Sequence, residues 1–242
     1  MSPELLPILL ALVAALANVA GGAIVTAHRW AHSSLRYFVA LGSGFMLGAV
    51  FLEMIPESLD GVTNALVWVL VGYLTVHMFE HTLSPHLHFG EETHHDEVGP
   101  GTGVSALIGL TVHTFFDGVA IGAGFRVSMV TGMLIFVAVL LHKIVDGFTV
   151  ASIALTSGFS QRFAFGSTVI LGLATVLGVL TVGIAGDMAP YALPISAGTM
   201  LYVAASDLIP EVNHAPGVKW AIVVFLGVGL FLLLTSLEGI GG

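Results

Sequence analysis

Long apolar runs separated by short polar breaks govern the reading of this chain. Stretches of spanning length fall at 4–27, 37–59, 64–83, 104–125, 128–157, 163–186, 190–213 and 217–238. A helix rising 1.5 Å per residue needs about 20 apolar residues to cross a bilayer, so each run predicts one membrane helix. Eight such helices make the chain an all-α polytopic membrane protein, a single transmembrane domain over 1–242. The fifth run is long for one crossing, which predicts tilt or a bend. The first run follows Met-Ser-Pro-Glu, without a basic leader, and reads as a retained helix rather than a cleaved signal. One polar segment of any length breaks the pattern, at 84–103, with Ser84-Pro-His-Leu-His88 and His94-His95-Asp96-Glu97 in it. Its Gly, Pro, acidic and His content predicts a disordered tether, or a loop that gathers metal for regulation. It lacks the spaced Cys and His ligands of a folded zinc module.

Composition narrows the class. The 242 residues are 56% hydrophobic and only 9% charged, with mean hydropathy +1.00. A soluble domain carries about 25% charged residues. There is no cysteine, which excludes disulfides and thiolate metal sites. Six Lys and Arg in the whole chain argue against a nucleic-acid partner; the lipid bilayer is the partner the composition implies. The few basic residues set the orientation by the positive-inside rule. With the N-terminus outside, the cytoplasmic loops hold Arg29, Arg36, Arg162 and Lys219, and the external loops only Arg126. Both termini then face outward and loop 84–103 faces the cytoplasm. A cell membrane, plasma or bacterial inner, is the expected location, and a homodimer is left open.

The candidate chemistry lies inside the fourth and fifth runs. His113-Thr-Phe-Phe-Asp117-Gly118 and His142-Lys-Ile-Val-Asp146-Gly147 each put an imidazole and a carboxylate at i and i+4. Such residues stack on one helix face. Ionisable groups at bilayer depth cost several kcal/mol unless paired or solvated, so they point to function. Two such faces turned together form a four-ligand site of His113, Asp117, His142 and Asp146. Two neutral imidazoles and two carboxylates suit Zn²⁺, Fe²⁺, Mn²⁺ or Co²⁺, and the two Asp charges offset a dication. A His–Asp hydrogen bond joining two helices would explain one copy but not the duplication. Gly118, Gly122, Gly124 and Gly147 follow the pairs and predict close approach of the two helices. Lys143 points about 100° around from His142. Its ammonium is no metal ligand. It would set a fixed positive charge beside the site, pair with Asp117 or Asp146 when the metal is absent, or, as a buried lysine, take a part in proton transfer.

A second repeat flanks the first. Glu53-Met-Ile-Pro56-Glu57 in the second run recurs as Asp207-Leu-Ile-Pro210-Glu211 in the seventh. The two runs cross in opposite directions, which predicts inverted repeats with one acidic station near each membrane face. Proline lacks an N–H, so Pro56 and Pro210 free the carbonyls of Leu52 and Ser206. Glu53 and Glu57 are candidate entrance residues, Asp207 and Glu211 candidate exit residues. His214 extends the second set, and His77, Glu80 and His81 share one face at the cytoplasmic end of the third helix. An interfacial polar cap explains that trio as well as an exit site does.

The helix 4 motif His-x-x-x-Asp-Gly, the helix 5 motif His-Lys-x-x-Asp-Gly and Ser206-Asp-Leu-Ile-Pro-Glu211 together resemble the ZIP family of metal transporters. That resemblance covers the whole chain. It implies uptake of Zn²⁺ and related divalent cations into the cytoplasm, with no enzymatic cofactor. It also implies an inverted repeat of helices 1–3 and 6–8 around helices 4 and 5, with His113, Asp117, His142 and Asp146 at the primary transport site. Many members carry a second, adjacent metal, held partly by an acid after the helix 5 His and a Glu in helix 6. Here those positions are Lys143 and Thr175, and the common Asn after the helix 4 His is Thr114. One metal is therefore expected, with the Lys143 charge in place of the second. An intramembrane zinc hydrolase and a proton-coupled cation antiporter are the competing readings. The hydrolase lacks a His-Glu-x-x-His motif and an open metal position.

Overall fold

The computed structural model describes residues 5–27, 32–83, 100–213 and 217–239. They form helical rods with no strand among the described residues. We label them α1 (Leu5–Ala27), α2 (His32–Gly61), α3 (Ala65–Leu83), α4 (Pro100–Val127), α5 (Met129–Thr156), α6 (Gln161–Ile184), α7 (Ala189–Asn213) and α8 (Val218–Gly239). The eight apolar runs each become one rod, with shifted ends. α4 begins at Pro100, so the last four residues of the expected tether are its first turn; 84–99 lie outside the described residues. Ser128 and Ser160 cap α5 and α6, accepting hydrogen bonds from the amides of Thr131 and Phe163. Asn64, with φ of 58°, makes the left-handed turn between α2 and α3.

Six rods contain stretches long and apolar enough to cross a membrane: Leu5–Thr26, Val39–Gly61, Gly103–Val127, Met129–Thr156, Gln161–Ile184 and Val218–Ser236. The apolar part of α3 is shorter, Ala65–Phe79. α7 is diluted by Pro190, Pro194, Ser196 and Thr199. These two rods pack against each other, so each screens the other's polar groups. α5, at 28 residues, is about 42 Å long against a hydrocarbon core of about 30 Å, which calls for tilt. Exposed side chains such as Leu12, Leu16, Phe225 and Leu226 are the lipid-facing surface of an integral membrane protein.

α2 and α7 share an irregularity. In α2 the α-helix widens to a π-turn over Val50–Met54, where the Ile55 amide donates to the Val50 carbonyl, before helix resumes at Ile55–Gly61. In α7 the same happens over Val203–Leu208, with the Ile209 amide donating to the Ala204 carbonyl. Each π-turn ends at the residue just before the isoleucine of the repeated Ile-Pro-Glu, two residues ahead of its proline. A proline that lacks its N–H leaves the normal i→i−4 ladder broken, and the amide ahead of it reaches one residue further back.

The rods pack as two groups. α1, α4, α5 and α6 form one, through α1–α5, α4–α6, α1–α6 and α4–α5. α2 with α8 and α3 with α7 form the other, joined where each π-turn meets the opposite rod, and α2–α5 and α4–α7 link the two groups. Exchanging α1 with α6, α2 with α7, α3 with α8 and α4 with α5 maps every one of these pairs onto itself or onto another of them.

Glycines seat the pairs, and in a way the sequence reading misplaced. A Cβ on Gly118 would lie 2.0 Å from the Thr175 carbonyl oxygen on α6, and one on Gly147 would lie 1.9 Å from the Asn18 carbonyl oxygen on α1. Gly122 likewise faces α6, through Val182. Of the four glycines expected to bring α4 and α5 together, only Gly124 touches α5, at Gly132 and Ile135. The others dock the flanking helices. The α4–α5 approach is instead set by the one-residue turn at Ser128.

Candidate metal centre

α4 and α5 form an antiparallel hairpin around Ser128, so residues at similar chain distances from it lie level. That brings the two His-x-x-x-Asp faces opposite each other. His113, Asp117, His142 and Asp146 are all buried, and one ligand atom from each lies within 4.8 Å of the others. His113 Nε2 is 3.2 Å from Asp117 Oδ2 and 3.7 Å from Asp146 Oδ2; His142 Nε2 is 3.4 and 3.9 Å from the same two atoms. Four ligands at the 2.0–2.2 Å typical of zinc sit about 3.3 Å apart at tetrahedral angles. The four His–Asp separations lie at or somewhat above that spacing.

His142 is oriented from behind. Its Nδ1 lies 2.9 Å from the Ala138 carbonyl oxygen, one turn earlier, and only an N–H on Nδ1 can make that bond. In the neutral ring this leaves the Nε2 lone pair facing the Asp117 carboxylate. Two acceptors 3.4 Å apart repel unless a cation lies between them. A backbone carbonyl that fixes the tautomer in this way is the usual support of a metal-ligating histidine.

Lys143 supplies positive charge at the same atoms. Its fully buried Nζ donates to Asp117 Oδ2 in a short contact, to Asp146 Oδ2 at 2.9 Å and to Thr114 Oγ1 at 3.4 Å. The ammonium therefore bridges both carboxylates through the oxygens that face the histidines.

The outer candidates are more dispersed. Glu53 is half-buried within the π-turn of α2, and its Oε1 accepts a 2.7 Å hydrogen bond from Thr131 Oγ1, which accepts in turn from Ser128 Oγ at 2.9 Å. Glu53 is thereby tied to the hairpin end of α5. Glu57 is half-buried one turn on. Asp207 is buried in the π-turn of α7, at a position matching Glu53. Tyr73 and Ser206 join α3 to this turn with hydroxyls 3.1 Å apart. His77 is exposed, its ring 5.9 Å from that of Tyr202. Glu80 and His81 lie on α3 and Glu211 on α7, while His214 falls outside the described residues.

One residue escaped the sequence reading. Asn18 is the sole amide side chain of α1 and is fully buried, and neither its Oδ1 nor its Nδ2 has a hydrogen-bond partner among the described residues. It lies where α1 meets Gly147, the residue after Asp146. Thr175, also fully buried, lies where α6 meets Gly118, the residue after Asp117. A lone amide in an apolar run was the available signal, but it has no partner at helical spacing to draw attention.

A family model described as ZIP zinc transporter matches residues 90–235, more than half of the chain. The chain belongs to the ZIP zinc transporter family. It is 25% identical over 245 residues to the zinc transporter YKE4 of Saccharomyces cerevisiae, covering 83% of this chain and 70% of that protein. It is 28% identical over 215 residues to zinc transporter ZIP9 of Xenopus tropicalis, covering 82% and 62%, and 27% identical over 202 residues to zinc transporter ZIP13 of Pongo abelii, covering 73% and 58%. The chain thus spans between about half and two thirds of the length of most of these relatives. ZIP proteins are transporters and not enzymes, which sets aside the hydrolase reading.

Proposed function

We propose that this ZIP-family chain carries divalent transition-metal cations, Zn²⁺ foremost, across the bilayer into the cytoplasm through His113, Asp117, His142 and Asp146. The observation that carries this reading is the convergence of four buried ligand atoms, two from each copy of a repeated motif, with the His142 ring held from behind by the Ala138 carbonyl. Two carboxylates offset the charge of a dication, and neutral imidazoles favour zinc and its neighbours over alkali cations. The relatives' names support Zn²⁺ as the metal.

The exchange symmetry of the helix pairs and the matched π-turns support an inverted repeat of α1–α3 and α6–α8 around α4 and α5. Sliding or rocking of one helix group against the other then opens the centre alternately to each side. Glu53 and Glu57 take the metal at the external entrance; Asp207, Glu211 and His214, with His77, Glu80 and His81, pass it to the cytoplasm. Both termini face outward. The segment 84–99 acts as a cytoplasmic tether that gathers metal but takes no part in translocation.

Purified protein in vesicles holding a zinc-sensing dye tests the function. Saturable Zn²⁺ entry that persists without a pH gradient is expected; flux only when protons run the other way would favour the antiporter, and none at all would refute transport. For the orientation, cysteine placed at position 57 of this cysteine-free chain should react with an impermeant reagent from outside; labelling only from the cytoplasm would reverse the topology. Replacing 84–99 by a flexible linker should leave initial uptake rates within about twofold, since such tethers bury no apolar surface; complete loss would put the loop in the pathway.

A further inference from the structure

An ammonium that bridges two carboxylates is in the way of a dication that needs the same oxygens. Lys143 is fully buried and holds both Asp117 Oδ2 and Asp146 Oδ2. When a metal takes those atoms, the ammonium loses its two strong acceptors and is repelled by the new charge. A buried ammonium without acceptors is costly, so another acceptor has to receive it.

The acceptor is identified by helix geometry. Lys143 and Gly147 are four residues apart and share one face of α5. Gly147 is the residue whose missing side chain lets α1 in, with the Asn18 carbonyl oxygen 1.9 Å from where a Cβ would be. One turn above, Gly21 of α1 is pressed as closely on α5, 2.1 Å from the Ile144 carbonyl oxygen by the same measure. α1 is thus pinned to α5 over residues 144–148, and the amide pinned there is the fully buried Asn18 side chain, with no partner among the described residues. The exchange symmetry adds a second line. Asn18 against Gly147 is the counterpart of Thr175 against Gly118, so each flanking helix presents one fully buried polar side chain beside an Asp-Gly motif.

We propose that Asn18 is the acceptor that receives the Lys143 ammonium when a divalent metal takes the Asp117 and Asp146 oxygens. Its amide oxygen then accepts one ammonium N–H, and Thr114, already 3.4 Å from Nζ, accepts another. Asn18 is a positioning residue. It acts on the metal only by giving Lys143 somewhere to go. The inference rests on the reading of the four-residue cluster as the metal site.

Zn²⁺ affinity of the full chain in nanodiscs, measured by competition with a chromophoric chelator, tests the link. Asn18→Leu should weaken binding by about tenfold or more, the scale on which residues supporting a metal site act. Its metal-free melting temperature should stay equal or rise, because an unpartnered amide has been removed. In a Lys143→Met background the same substitution should change affinity by less than about threefold, since no ammonium needs receiving. Asn18→Asp, which keeps an acceptor, should bind at least as tightly as the parent. Should Asn18→Leu not fold, Asn18→Ala carries the same expectations. Equal losses in both Lys143 backgrounds, or wild-type affinity in Asn18→Leu, overturn the proposal while leaving the metal site standing. Unchanged affinity in Asp117→Asn overturns the metal site itself, and the proposal with it.

Discussion

Asp117→Ala and Asp146→Ala will each abolish metal uptake, lowering it by at least about a hundredfold, because even residues behind the ligands change metal affinity by 10–100-fold. Each substitution removes one of four ligand atoms and one of the two negative charges that offset a dication. Each also strips a carboxylate from the buried Lys143 ammonium. Breaking a buried ion pair on one side costs about 3–5 kcal/mol, so some loss of thermal stability accompanies the loss of transport. Asp117→Asn and Asp146→Asn separate the two effects, since an amide keeps an oxygen for the ammonium but loses the charge. They should restore folding and leave uptake abolished. The measurement is initial uptake normalised to folded protein in the membrane. Full transport by either Ala variant would take these residues out of the pathway.

What the chain states plainly is what depends on local spacing. A run of 20 apolar residues reports a membrane helix whatever surrounds it, so all eight rods were legible. An i,i+4 His/Asp pair reports a shared face, so the four side chains that meet were named before any packing was known. The α3 and α7 rods show the limit of that rule. Their apolarity falls short of a solitary span, and the two rods pack against each other.

Packing partners were harder to read, because the pattern names a face but not its neighbour. The glycines after Asp117 and Asp146 were correctly read as sites of close approach and wrongly matched to each other. Their partners, Thr175 and Asn18, lie on rods more than 50 and 120 residues away in sequence. Pro56 and Pro210 announced a broken hydrogen-bond ladder, yet the response, a π-turn in both rods, is a choice among several relaxations that the proline alone does not make. Lys143 pairs with Asp117 and Asp146 as one of its expected roles had it; that it holds both at once, through the histidine-facing oxygens, needed the hairpin geometry.

That bridging ammonium leads to the second large effect. Lys143→Asp, alone or with Thr175→Glu, should raise the number of tightly bound metals from one to two per chain. In the wild type the ammonium shares the two Asp Oδ2 atoms from beside the histidine cage, the place from which a second cation would also bridge them. A unit charge about 4 Å from a dication meets a repulsion of about 8 kcal/mol at an effective dielectric near 20, against about 4 for a single unit pair. A second metal does not overcome that without new ligands. Substituting Asp removes the repelling charge and adds a carboxylate on the same turn. Thr175, fully buried and backed onto Gly118, is the α6 position from which a Glu could complete the second set, at the price of fitting a longer side chain. Metal-to-protein stoichiometry and anomalous diffraction at the zinc edge decide the matter. Two well-occupied metals at the α4–α5 centre with Lys143 unchanged would show that the ammonium does not exclude the second ion.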